Sequence, residues 1–361
     1  MQILKLAVEN FRILSSVSLQ FSNKINCLVG ENGAGKTSLL ESLVVLAKGR
    51  SFRGGQIEDL IGPKAENFTV HAKILSSRGI KHQVGLTRGQ NQWRARLDQQ
   101  DVKNLSDLSV YLPLVIIEPN SHRLVDGPPQ NRRRFLDWGV FHVKPDYLGH
   151  WRRYRRSLKQ RNAALKSKHE PKNELLDSLD TVLAESGHAV HQLRASCFNR
   201  LKDLTKKHLD QLSPGFPALS IQYSPGWTGN DLYQWLVDHR ARDLKQENTG
   251  GGPHRADLQM RCGDQKASNY LSRGQQKMLA TALLLAEAEL LDESRSTPLL
   301  LLDDLSSEYD QQHLGSLLNF VNQREGQTWI TSVDQRALDQ MVAETAETAM
   351  FHVKHGTIEA A

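Results

Sequence analysis

Gly30-Glu31-Asn32-Gly33-Ala34-Gly35-Lys36-Thr37-Ser38-Leu39-Leu40-Glu41 sets three glycines, a lysine and a threonine at a turn between two apolar segments. Ile25 to Val29, before it, is a short apolar run that reads as a buried strand, and Ser38 to Ala47, after it, reads as a leucine- and valine-rich helix. Gly30 to Thr37 fits the pattern GxxxxGK[ST], the Walker A phosphate loop. Its glycines let successive backbone N–H groups turn inward as an anion nest, and the helix that follows points its positive end at the bound phosphate. The expected nucleotide contacts are Gly30, Glu31, Asn32, Gly33, Ala34, Gly35, Lys36, Thr37 and Ser38. Lys36 would neutralise β- and γ-phosphate oxygens of ATP, and the Thr37 hydroxyl would bind Mg²⁺. A glycine-rich turn that matches by chance is the bland alternative, and the strand before it and helix after it argue against that.

Two further segments extend the pattern. Leu299 to Leu302 is an all-leucine strand ending in Asp303-Asp304, which suits a Walker B strand. Asp303 is then the metal-side carboxylate, acting through water, and Asp304 a general base for the attacking water. A core strand ending in solvated aspartates is common, so this reading depends on the phosphate loop. Leu271-Ser272-Arg273-Gly274-Gln275-Gln276 opens an apolar helix from Lys277 to Leu291, and Ser272 with Gln275 has capping-box spacing. It also matches the ABC signature LSxGQ, in which Ser272, Gly274 and Gln275 at a helix N-terminus would hold a γ-phosphate. Kinases and small GTPases carry no such segment.

A chain of 361 residues, 39% hydrophobic and 24% charged, has the composition of a soluble globular protein with room for two lobes. Met1 to Arg12 does not resemble a signal peptide, and the most apolar stretch, Met278 to Leu291, is broken by Glu287 and Glu289, so the expected location is cytoplasmic with no membrane partner. Cys27, Cys197 and Cys262 are too scattered for a disulfide framework or zinc ribbon. The net charge of +6 is unevenly spread: Arg132 to Lys168 holds twelve Lys or Arg against two Asp. Within it Trp151, Tyr154, Leu158 and Leu165 share one side of a helix, and Arg152, Arg155, Arg156, Lys159 and Lys166 cluster on the adjoining sector. Most charge runs are solvated faces, but cations this dense with no nearby carboxylate suit a phosphate track, and these five are the candidate nucleic-acid contacts.

Leu4, Leu6 and Val8 alternate with polar residues, as do Val17, Leu19 and Phe21 after a polar turn, which predicts a hairpin ahead of the phosphate loop. Strands are also expected at Phe68 to Leu75, His82 to Leu86, Trp93 to Asp98 and Trp329 to Ser332. Long helical patterns run from about residue 130 to Leu212, and glycine-rich stretches follow at Ser213 to Gly229 and Gly250 to Leu258. The expected architecture is α/β: an ABC-type P-loop ATPase head whose two chain ends build one sheet, lobe I at 1–115 and 295–361. Residues 116–294 would form an inserted, mainly helical lobe II carrying the basic segment and the signature. Walker A and signature lie more than two hundred residues apart, yet no heptad pattern supplies a long coiled coil.

Over nearly its whole length the chain resembles the RecF family of bacterial DNA replication and repair proteins, in the SMC-like branch of ABC ATPases. The resemblance is carried by Asn10-Phe11-Arg12, the Walker A, Gly49-Arg50-Ser51-Phe52-Arg53, Arg132-Arg133-Arg134-Phe135-Leu136-Asp137-Trp138, Lys159-Gln160-Arg161-Asn162, Gly252-Pro253-His254, LSRGQ and Asp303-Asp304. It implies a nucleotide contact for Arg12, and ATP sandwiched between the Walker A of one subunit and the signature of another, so that dimerisation depends on ATP. It further implies binding to DNA near single-strand/double-strand junctions, work with RecR and RecO, and help in loading RecA onto gapped DNA.

The chain departs from the wider ABC pattern at three places. Pro113 to Glu118 lacks the glutamine that often enters the helical lobe, and Thr331-Ser332-Val333-Asp334 lacks a switch histidine, so those two loops receive no assigned role. Asp304 stands where transporters usually have Glu, and its shorter reach suits slow hydrolysis. Two other functions compete with a DNA-binding ATPase. A transporter's energising subunit fits poorly with the large insert and its charge; a nucleotide-binding scaffold without hydrolysis differs from an ATPase in single-turnover measurements.

Overall fold

The computed structural model describes residues 1–21, 24–90, 92–167, 171–304, 309–333 and 348–360. The chain falls into two compact units: Met1–Ser121 with Gln211–Ser213 and Glu287–Ala361, and His122–Asp210 with Pro214–Ala286.

In the first unit, β1 (Gln2–Phe11) and β2 (Leu14–Gln20) form the expected antiparallel hairpin. Phe11 is fully buried and meets Phe68 edge-on at 5.0 Å, which fixes the hairpin end in the core. Next come β3 (Ile25–Val29), helix α1 (Lys36–Lys48), β4 (Asn67–Leu75), β5 (Lys81–Gly89), β6 (Trp93–Leu97), β7 (Gln100–Val102) and β8 (Leu114–Ile117). One antiparallel sheet has the order β2-β1-β4-β5-β6-β7. The single sheet expected from the two chain ends is therefore two sheets, because the first hairpin pairs with β4 instead of joining β3.

The second sheet draws on both ends. Returning from the second unit, the chain adds β12 (Leu299–Leu302), helix α8 (Gln311–Gln323), β13 (Thr328–Ser332), β14 (Thr348–Lys354) and β15 (Thr357–Ala360), giving the order β15-β14-β3-β13-β12-β8. β3, β12, β13 and β8 run parallel and are buried along their whole length, as continuous apolar runs require. β8 pairs with β12 through Ile117, so the first unit continues past the expected boundary at residue 115. Helix α1 is buried nearly all round because it packs against β1 and β4 of one sheet and β13 of the other.

The second unit contains α2 (Pro129–Val143), α3 (Tyr147–Leu165), most of α4 (Asn173–Leu212), α5 (Leu232–Asp238), α6 (Arg240–Gln246) and the start of α7 (Arg273–Glu293). It also holds a three-stranded sheet of β9 (Leu219–Ser224), β10 (Asp257–Cys262) and β11 (Gln265–Lys266), in a region whose composition reads as glycine-rich transitions. β9 and β10 pair over their full six residues, so the non-local partner, not the local composition, makes them strands.

The second unit is laced internally by charge. Arg161 is fully buried and donates to Asp180 at 2.5 Å and Asp243 at 2.6 Å. Arg194 pairs with Asp137 at 2.6 Å and donates to the Pro253 carbonyl at 2.7 Å, and Arg132 grips Asp257 with two bonds of 2.7 and 3.0 Å. Arg132 and Arg161 belong to the basic segment by sequence; both are internal ion-pair partners, and Lys168 lies outside the described residues.

Candidate nucleotide site and basic face

The phosphate loop runs from the C-terminal end of β3 to the N-terminus of α1. Gly35 caps that helix with φ 117°, a conformation L side chains rarely adopt. At Gly30 a Cβ atom would lie 2.1 Å from the Val353 carbonyl oxygen of β14, so any side chain there would push the loop off its strand. The turn between β14 and β15 closes the other side, with the Gly356 N–H donating to the Ala34 carbonyl at 2.8 Å. Lys36 is 6% exposed, and its Nζ donates to the carbonyls of Gly30 at 2.6 Å and Glu31 at 2.9 Å. Burial lowers the Lys36 pKa, and the charges of Asp304 and Asp303 oppose that shift.

Opposite the loop, β12 delivers the paired aspartates. Asp303 Oδ1 accepts from the Thr37 hydroxyl at 3.0 Å and the Thr331 hydroxyl at 2.8 Å. Burial raises the Asp303 carboxyl pKa, and the bonds from Thr331 and Thr37 partly offset this by favouring the charged form. The same Thr331 oxygen accepts from the Asp304 backbone N–H at 2.8 Å, and Asp304 sits at φ 56°. One hydroxyl at the end of β13 therefore orients the first carboxylate and pins the backbone of the second. Nothing in the sequence singles out a threonine closing an apolar strand; its role follows from β13 lying between β3 and β12.

These groups face a cleft of about 270 Å³. From the expected set, Asn32, Gly33, Gly35, Lys36, Thr37, Ser38, Asp303 and Asp304 line it; Phe52, Arg53, Glu118, Pro119, Asn120 and Thr331 join them unassigned. Of the other loop residues, Gly30 and Glu31 hold Lys36, and the Ala34 carbonyl holds the β14–β15 turn. Arg12 is not among the lining residues. Its guanidinium donates to the fully buried Glu41 of α1 at 2.9 and 3.1 Å and to the Asp59 carbonyl at 2.7 Å, a clasp from the first hairpin to the helix. Arg53 is half exposed, lies 3.8 Å from the same Glu41 and is among the residues that line the cleft.

The donor set fits a magnesium nucleotide: an inward-facing glycine loop with open space above Gly33, a buried lysine, and a hydroxyl already hydrogen-bonded to a carboxylate. Thr331 to Val333 are described, whereas Asp334 lies outside the described residues.

In the second unit, the signature forms the reciprocal cap its spacing predicts: Ser272 N donates to Gln275 Oε1 at 3.0 Å, and Gln275 N to Ser272 Oγ at 3.3 Å. Ser272, Arg273 and Gly274 are exposed. On α3, Tyr154, Leu158 and Leu165 are buried and Trp151 is partly so, while Arg152, Arg155, Arg156, Lys159 and Lys166 are all exposed. Arg153, on the flank, is held by Glu185 at 2.9 Å.

The family model of the RecF/RecN/SMC N-terminal domain matches residues 2–359, and the DNA replication and repair protein RecF of Xanthomonas axonopodis pv. citri is 39% identical over 365 residues, with 99% of this chain and 98% of that protein covered. The chain belongs to the RecF family. RecF of Pseudomonas paraeruginosa is 36% identical over 362 residues, covering 99% of this chain and 97% of its own. A solved structure described as the recombination mediator protein RecF-ATP in the RecFOR pathway has a TM-score of 0.88 at 26% identity, covering 99% of this chain and 97% of that one. The Smc head domain of Pyrococcus furiosus matches with a TM-score of 0.60 at 15% identity over 99% of this chain and 95% of that one, a likeness of fold alone. The fold is the expected ABC-type ATPase head of the RecF and SMC kind, in an ATP-binding ATPase family. Among the described residues no helix is long and apolar enough to cross a membrane.

Proposed function

We propose that this chain is an ATP-dependent DNA-binding protein of recombinational repair and replication-fork maintenance, which dimerises on ATP and hydrolyses it slowly, with stimulation by DNA. It acts in the cytoplasm with RecR and RecO to promote RecA loading at single-strand gaps. The observation that carries the ATPase part is the convergence of Lys36, Thr37, Asp303 and Asp304 on one cleft, with Thr331 bridging the two aspartates. The relatives' name, and the pathway named for the ATP-bound structure, support the rest of the reading.

The roles follow from position. The phosphate loop binds the polyphosphate through its N–H groups, Lys36 turns its ammonium from the loop carbonyls to the β/γ-oxygens, and Thr37 with Asp303 would hold Mg²⁺. That ion, when bound, neutralises charge developing on the phosphate oxygens. Asp304 takes the proton of the attacking water. Thr331→Val should cut turnover roughly tenfold, the effect of about one lost hydrogen bond at the carboxylates, with ATP affinity nearly unchanged. Thr331→Ser should keep turnover near wild type; equal single-turnover rates for the Thr331→Val variant and the wild-type protein would remove Thr331 from the mechanism.

Ser272 and Gly274, exposed at a capped helix start, suit contact with the nucleotide of a second copy. Ser272→Arg should leave ATP binding nearly intact and prevent dimerisation and hydrolysis. Mixing Lys36→Ala with Ser272→Arg chains tests the shared site, since a heterodimer has one site with both lesions and one with neither. Partial recovery of ATPase is expected, and none where heterodimers demonstrably form would overturn the two-chain site. On α3, the double change Arg152→Ala with Arg156→Ala should weaken DNA binding across all sequences and flatten its salt dependence by roughly one unit of slope per lost phosphate contact. An unchanged slope in a binding titration would make that face an ordinary solvated one.

A further inference from the structure

We propose that Arg133, Arg155 and Arg255, gathered around His254 in the second unit, form a phosphate-binding cluster that extends the nucleic-acid path of α3 onto the turn Pro253–Arg255. The proposal rests on reading the exposed face of α3, Arg155 included, as a DNA contact, and adds to it Arg133 and Arg255, the latter outside the basic segment.

Three elements meet at this point. Tyr154 on α3 donates through its hydroxyl to His254 Nδ1 at 2.6 Å, and His254 Nε2 donates to the Thr249 carbonyl at 3.0 Å. On α2, Arg133 donates to the Ala256 carbonyl at 2.8 Å. The turn itself is stiff: Gly252 has φ 128°, and a Cβ on Gly226 would come within 2.3 Å of the Gly252 carbonyl oxygen. Arg255 is thus displayed from a fixed backbone next to His254, which Tyr154 holds.

The local charge does not balance. Arg132 is matched by Asp257, and Arg194 by Asp137. Arg133, partly buried, has a neutral carbonyl as its hydrogen-bond acceptor, Arg155 lies over the Trp151 ring at 5.0 Å, and Arg255 is exposed. Among the described residues none of these three has a carboxylate within ion-pair distance. Asp257 and Asp137 act on Arg133 from beyond ion-pair distance but are already matched by Arg132 and Arg194, so the surplus positive charge around this partly buried guanidinium is costly, and an anion would remove the cost. Planar guanidinium forks match phosphate oxygens best. Arg155 also belongs to the sector that carries Arg152, Arg156 and Lys159, so the cluster continues a row of cations, which fits a polymer of phosphates better than one small anion.

The histidine reports on the cluster. Burial is the largest cause holding its pKa down at about 4; the Thr249 bond opposes this, and the charges of Arg255, Arg133 and Arg155 add to it. An anion seated among those arginines would cancel their contribution and raise the pKa.

The test uses the full chain and a gapped DNA oligonucleotide. Arg155→Gln and Arg255→Gln should each lower the slope of log affinity against log salt by about one unit, with melting temperature unchanged or slightly raised as like-charge repulsion is relieved. The midpoint of the His254 ring-proton titration should move up when the oligonucleotide is added. If Arg255→Gln keeps the wild-type slope while Arg155→Gln and the Arg152→Ala with Arg156→Ala pair flatten it, the cluster is no contact and the α3 reading stands alone. If no variant changes the slope, both fail. Flattening by Arg155→Gln and Arg255→Gln, but not by the α3 pair, would place the DNA on the cluster and take it off the outer helix face.

Discussion

Lys36→Ala should abolish measurable ATP binding, and with it the ATP-driven dimerisation and hydrolysis proposed above. In the proposed complex the ammonium would face phosphate oxygens, and only 6% of the residue is exposed, so little water would replace the lost charge. Two charge-assisted bonds at about 1.5–3 kcal/mol each imply a loss of roughly two to four orders of magnitude in affinity. The loop also loses the hydrogen bonds that Lys36 makes to the Gly30 and Glu31 carbonyls, which adds a cost in loop order. Calorimetric titration with ATP decides the matter: a dissociation constant within a few-fold of wild type would sink the phosphate-loop assignment.

The largest effect on stability is expected at a residue distant in sequence from every nucleotide motif. Arg161→Ala would leave Asp243 with no cation and Asp180 with only Arg240, at 2.8 Å, in positions that are fully buried. Removing one partner of such a group costs roughly 3–5 kcal/mol, because the remaining charges stay out of water. Asp243 Oδ1 also accepts from Gly250 N at 3.0 Å, and the same Arg161 Nη1 that reaches Asp243 donates to Thr249 Oγ1 at 2.9 Å, so the loop leading to His254 should loosen with it. Thermal unfolding should move down by about 10 °C, taking 2–4 °C per kcal/mol for a unit of this size. A shift under about 2 °C would mean the network contributes little.

The legible parts are those written within a few neighbouring residues. A glycine-rich turn between an apolar run and a helix needs no distant partner to be recognised, and the Ser272–Gln275 cap closes over three residues. The strands of the first hairpin show their alternation directly. Family likeness places Arg12 at the nucleotide, whereas its contact with Glu41, a buried carboxylate on a leucine- and valine-rich helix, shows only in the structure. β9 and β10 are hidden in the sequence since each is short and bordered by glycine-rich chain, and their pairing gives them their state.

Local chemistry in the sequence was enough to determine a phosphate loop, a second carboxylate strand and a capped signature helix, because periodicity, turn geometry and capping act over one or two turns of chain, and likeness to the RecF family supplied the kind of head they belong to. Tertiary structure alone decided which polar groups are spoken for. Charge counting treats Arg132, Arg161 and Arg155 as equals, yet Arg132 finds Asp257 across 125 positions, Arg161 is sealed between two aspartates, and Arg155 faces solvent. A charge becomes structural or available according to the counter-charge that packing brings to it, and Coulomb energy depends on distance in space, to which separation along the chain is no guide.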